Sequence, residues 1–264
     1  MSTINPQELL KSMRDSNPLV QCITNYVAMN IAANTMLAAG ASPAMVHTPE
    51  ESGEFAAIAG ALTVNIGTLS PIWVDGMKNA INATKSAGKP WVLDPVAHFA
   101  TPYRSSVAKE LMSMNPTVLR GNASEIMALA GEQSSGQGVD TGDSVSSAEN
   151  AATILSNRHD GVVVITGEVD FVTDGSRIAR VSGGSAFMSQ ITAMGCSLTC
   201  LMGAFLATED DAFAASIGAL ALFAEAGSLA NETATGPGSF SWQFLDQLAA
   251  IQPKDIDISR VTIG

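Results

Sequence analysis

Residues 90–130 read PWVLDPVAHFATPYRSSVAKELMSMNPTVLRGNASEIMALA. An apolar run (90–94) closes on an aspartate, and a helical stretch (104–113) follows. A second apolar run (116–119) comes next, and another helix (123–130) opens after Asn122. Short apolar runs bounded by turn residues are strands covered on both faces. Strand–helix units repeated in this way build a mostly parallel sheet between two layers of helices, an α/β class with α/β/α layering.

The same alternation continues on either side. Upstream, the pattern predicts a helix over 26–39, with Thr24 or Asn25 as candidate N-cap and Gly40 as C-cap. A strand at 43–46, a helix at 51–62, a strand at 62–66 and a helix at 71–87 follow. Downstream, residues 131–145 are rich in Gly, Ser and Asp and read as a flexible loop. A helix over 147–157 leads to a strand at 161–166, then to a hairpin over 168–181 turned at Asp174-Gly175. Helices at 195–207, 211–231 and 239–250 complete the chain. Neither a repeat nor a linker interrupts it, so the reading is one domain over residues 1–264.

Composition narrows the function classes. Of 264 residues, 46% are hydrophobic and 14% charged, with mean hydropathy +0.22, which excludes a disordered chain. So low a charged fraction suggests that much surface is buried, as between subunits. Lys and Arg number 13 against 25 Asp and Glu, a net charge of −12. That balance repels nucleic acid and anionic lipid. The apolar run near 212–230 carries Glu225, and the N-terminal residues lack the apolar core of a signal peptide. Cys22, Cys196 and Cys200 form neither a zinc pattern nor a disulfide framework, which fits a reducing cytoplasm.

Ligands of parallel sheets bind beyond the carboxyl ends of the strands, so the strand-to-helix junctions are where chemistry is sought. Thr192–Thr199 (TAMGCSLT) opens an apolar helix whose free N–H groups suit an anion. Cys196 in its first turn would have a depressed pKa and act as base or nucleophile; equally, it is a small buried helix residue and Gly195 allows tight packing. Asp94 before Pro95 would hold Mg2+ through water, or merely end a strand in an Asp-Pro turn. Arg120 would face phosphates and Glu125 the metal, although Asn122 and Glu125 also match a capping box. Thr166 would meet a phosphate oxygen or satisfy its own turn. No Walker A motif, protein-kinase catalytic loop or GxSxG elbow is present, and His159, in the polar segment NRHDG, reads as solvated.

Taken together, these junctions resemble the hydroxyethylthiazole kinase family, a thiamine-pathway branch of the ribokinase-like fold. The resemblance spans essentially the whole chain: QCITNYV (21–27), GASPAMV (40–46), NIGTL (65–69), WVLDPVA (91–97), LRGNASEI (119–126), VVITGEVDFVTDG (163–175), MGCSLT (194–199) and GPGSF (236–240). It implies ATP-dependent phosphorylation of the alcohol of 4-methyl-5-(2-hydroxyethyl)thiazole. By motif, Cys196 is implied as the catalytic residue, standing where ribokinase relatives keep an aspartate. Arg120, Thr166 and Gly195 are implied at ATP, Asp94 and Glu125 at Mg2+, and Met45, position 193 (Ala193) and Asn25 at the thiazole. A cytoplasmic homotrimer with its sites at subunit interfaces is implied as well. One position departs from the family pattern. The family's turn reads G-x-G-C, and Ala193 brings a methyl where the backbone approaches ligand and where positive φ is awkward.

Overall fold

The computed structural model describes residues 4–131 and 145–264, so the loop read at 131–145 lies, apart from its two end residues, outside the described residues. Among the described residues nine strands form one sheet. They are β1 (Leu19–Ile23), β2 (Ser42–Ala44), β3 (Ala61–Asn65), β4 (Trp91–Asp94), β5 (Val118–Asn122), β6 (Val162–Thr166), β7 (Val169–Thr173), β8 (Ile178–Ser182) and β9 (Val261–Ile263). Their spatial order is β2-β1-β3-β4-β5-β6-β7-β8-β9. From β2 to β6 every pairing is parallel; β7, β8 and β9 add antiparallel edges.

Strand side chains alternate between two cores, as the pleat requires. Val92, Val118 and Val164 point into one; Leu93, Leu119 and Ile165 point into the other. The first core lies under α1 (Pro6–Ser16), α2 (Met29–Ala39), α8 (Met194–Leu206), α9 (Ala212–Thr233) and α10 (Pro237–Ala250). The second lies under α3 (Ser52–Ile58), α4 (Pro71–Ser86), α5 (Pro102–Met112), α6 (Ala123–Ala130) and α7 (Val145–His159). Because both faces are covered, β3 and β4 are buried at every residue, which explains why they are mostly apolar. Truncating a residue such as Leu93 to Ala would cost about 2–5 kcal/mol, through lost burial and the cavity left behind.

Local chemistry sets the helix starts. Asn5, Ser70 and Thr101 each accept a backbone N–H ahead of a helix that begins with proline, and Asp211 does the same for α9. Among the described residues, α9 is the one helix long and apolar enough to cross a membrane. Of its apolar window, 83% is buried inside the fold, where it serves as a core helix.

The expected helices and strands are present within a few residues, with three differences. Helix α2 begins at Met29, because Asn25 Oδ1 takes the N–H groups of Val27 and Ala28 and holds Tyr26–Ala28 in a turn. Elements α1, β1 and β9 were not anticipated. His159 is buried, not solvated: it ends α7 with its ring on Gly161, where a Cβ would stand 2.6 Å away, and burial lowers its pKa.

Candidate active site

Six strands deliver their ends to one edge of the sheet. Asn25 follows β1 and Met45 follows β2, while Asn65, Asp94 and Thr166 are the last residues of β3, β4 and β6. Arg120 lies two residues inside β5. Register places Asn65 opposite Asp94 and Asn122 opposite Thr166. The N-terminus of α8 comes down onto this edge with Gly195 and Cys196 in its first turn.

Asp94, fully buried, is the centre of the arrangement. Its Oδ2 accepts from Thr199 Oγ1 (2.7 Å), Asn65 Nδ2 (2.8 Å) and Arg120 Nη1 (3.3 Å). Its Oδ1 is buried with no hydrogen-bond partner. Asp94 and Arg120 thus form an almost fully desolvated ion pair, tolerable only with the further hydrogen bonds present here.

Arg120 also donates from Nη2 to Thr166 Oγ1. Its guanidinium rests on the first turn of α8. A Cβ at Gly195 would lie 2.6 Å from both Nη1 and Nη2, so the absence of a side chain at 195 is what admits the arginine. Ala193, the N-cap residue of α8, has φ 63, the left-handed region that costs an alanine.

Cys196 is half-buried and its Sγ lies 3.3 Å from both Asn25 Nδ2 and Asn65 Nδ2. The depressed thiol pKa expected from its place in the helix is overturned. Burial, and next the charge of Asp94, push the thiol up to about 11; the two amides and Arg120 act the other way without compensating. Cys196 is a neutral thiol at physiological pH.

Glu125 stands behind Asp94. Its Oε2 accepts from Asn122 N (2.8 Å) in a capping box, and its Oε1 accepts from Ala97 N (2.9 Å). The capping reading of this residue therefore holds. Burial and the nearby charge of Asp94 raise its pKa. Met45 is half-buried against the α2/α8 core and, among the described residues, shares no hydrogen bond with the cluster.

Asn65 and Thr199 join the site as donors to Asp94, a role the sequence does not assign them. The signal for Asn65 is a polar residue closing an apolar strand, the same signal that marked Asp94. Thr199 had none, being one hydroxyl inside an apolar helix. A cavity of about 430 Å³ opens at the opposite, amino-terminal ends of β5 and β6, lined by Thr117, His159, Asp160 and Asp211 among others. The converging donors and acceptors are not there.

The layered sheet with its chemistry at the strand ends is ribokinase-like. A ribokinase-like superfamily protein from Enterococcus faecalis superimposes with a TM-score of 0.66 at 11% identity, covering 92% of this chain and 94% of that one. At that identity the likeness concerns the fold alone. The chain belongs to the hydroxyethylthiazole kinase family, whose model matches residues 10–254. It is 63% identical over 253 residues to the hydroxyethylthiazole kinase of Rhizobium johnstonii, covering 96% of this chain and 95% of the relative. The hydroxyethylthiazole kinase structure from Pyrococcus horikoshii matches with a TM-score of 0.89 at 37% identity, covering 98% of each chain. The protein is accordingly a kinase.

Proposed function

We propose that the protein transfers the γ-phosphate of ATP to the primary alcohol of 4-methyl-5-(2-hydroxyethyl)thiazole, a step of thiamine biosynthesis or salvage. The observation that carries this reading is the meeting of Cys196 Sγ, the Asp94–Arg120 pair and the N-terminus of α8 at one edge of the sheet.

Transfer of a phosphoryl group needs mainly alignment and charge neutralisation. In this reading Arg120, with Thr166, turns from Asp94 toward the ATP phosphates, and the N–H groups at 194–196 form the anion hole for the group in flight. The thiazole sits on Met45, Asn25 and Ala193 with its alcohol at Cys196. A neutral thiol is a poor base, so Cys196 orients the hydroxyl by hydrogen bonding. The hydroxyl oxygen attacks the γ-phosphorus in line, ADP leaves with the electrons of the broken bond, and the hydroxyl proton passes to an oxygen of the transferred phosphoryl group.

Asp94 and Glu125 would hold Mg2+. The donor set fits: Asp94 Oδ1 has a free lone pair, and burial and the charge of Asp94 raise the pKa of Glu125, which a divalent cation beside it relieves. Among the described residues no group of three or more His, Cys, Asp and Glu could cage a metal ion. That suits magnesium, which keeps waters and phosphate oxygens in its shell. Bound with ATP, it supplies charge neutralisation at the phosphates.

The reading includes one domain, a homotrimer with its sites at subunit interfaces, and a cytoplasmic setting. Exposed Tyr26 and Ile72, beside Asn25 and Trp73, support a partner surface next to the site. The test is ADP release from MgATP with and without the thiazole alcohol. Alcohol-dependent release abolished by a chelator supports the reading, whereas release with a pyrimidine alcohol and none with the thiazole would overturn it.

A further inference from the structure

Five adjacent strands carry an unbroken line of side-chain hydrogen bonds across their carboxyl ends: Asn25 after β1, Asn65 on β3, Asp94 on β4, Arg120 on β5 and Thr166 on β6. Asn65 is the link between the alcohol half of the line and the phosphate half. It is 2% exposed, and the proposed reaction assigns it nothing.

The backbone determines which way both amides point. Gly67 N donates to Asn65 Oδ1 (2.9 Å); Val27 N and Ala28 N donate to Asn25 Oδ1 (both 3.1 Å). A flipped amide would set N–H against N–H, so each Nδ2 must face inward. Each then has two hydrogens, and all are used. Asn65 Nδ2 donates to Asp94 Oδ2 (2.8 Å) and Cys196 Sγ (3.3 Å), and Asn25 Nδ2 to Asn65 Oδ1 (2.8 Å) and Cys196 Sγ (3.3 Å). Neither amide rotates without leaving a buried group unpaired.

We propose that Asn65 is a positioning residue that ties the sulfur of Cys196 to the carboxylate of Asp94. It holds the alcohol-orienting group and the phosphate-side anion at one separation. With both lone pairs of the thiol taken by amide donors, its remaining hydrogen-bonding direction is left for the substrate hydroxyl. The inference rests on the reading of Cys196 as the residue at the alcohol.

The test is a double-mutant cycle. Asn65→Ala lowers kcat about 10- to 100-fold, as a misplaced reacting pair does, with both KM values within about 2-fold. Asn65→Ser is too short to reach Asp94 and Cys196 together and loses as much kcat, and a thermal melt of each variant separates lost positioning from lost folding. In a Cys196→Ala background either change costs little more, because the group it positions is gone. Equal losses in both backgrounds, or a loss traced entirely to lower thermal stability in both variants, would overturn the inference. If Cys196→Ala alone leaves kcat unchanged, the reading of Cys196 fails, and that outcome is distinct from additive losses.

Discussion

The guanidinium of Arg120 lies on Gly195 so closely that a methyl on that glycine would meet both of its terminal nitrogens at 2.6 Å. The group displaced would be the far end of a flexible side chain, not backbone. Gly195→Ala should therefore push Arg120 off Asp94 and Thr166 while leaving the helix intact. Losing a hydrogen bond to a charged group costs about 1.5–3 kcal/mol. The KM for ATP should rise about 10- to 100-fold, and the melting temperature should fall as well, because Asp94 stays buried without its counter-ion. Steady-state kinetics at varied ATP, paired with a thermal melt, reads both.

Asp94→Asn breaks the same pair from the other side. Arg120 would keep its charge in a nearly closed site with its counter-ion gone, which costs about 3–5 kcal/mol. A melting temperature lower by on the order of 10 °C is expected, together with loss of most turnover. Calorimetry and ADP release check this, and a stable but inactive variant would show that the ion pair adds nothing to the fold.

Ala193 holds φ 63 with a Cβ, a conformation that costs an L-residue about 1–2 kcal/mol and a glycine much less. Ala193→Gly should raise the melting temperature by about 2–4 °C and keep kinase activity. Differential scanning calorimetry decides it; an unchanged or lower melting temperature would mean that the surroundings already accommodate the methyl.

The Cys196 thiol, pushed up to about 11, is protonated through the neutral range. Because only the thiolate alkylates, its rate with iodoacetamide should climb about 10-fold per pH unit from 7 to 10 without levelling near 9. Cys22 and Cys200 are buried and should stay silent in the folded protein. Mass spectrometry over a pH series follows each thiol. Turnover should show no thiol-linked inflection below pH 9, and Cys196→Ser should retain part of it.

What the sequence determined by itself is the local grammar. Apolar runs such as Trp91–Asp94 and Val162–Thr166 are strands because both faces are covered, and that burial is written in their composition. The residues closing those runs face the ligand edge by the rule of parallel sheets, so Asp94, Thr166 and the 193–196 turn could be singled out in advance. The Asn122–Glu125 capping box was legible because it needs only a spacing of three.

The tertiary structure decided everything that depends on a partner distant in the chain. Whether Cys196 loses its proton is set by burial and by Asp94, over a hundred residues away in sequence, and these outweigh the local helix terminus. His159 sits among polar neighbours in sequence but closes over Gly161 at a strand entrance. The five-residue line through Asn65 follows from strand order and register, and Gly195 has its meaning only once Arg120 arrives from β5. Propensity and periodicity act over a few residues, whereas desolvation, ion pairing and steric admission act between whichever groups the fold brings together.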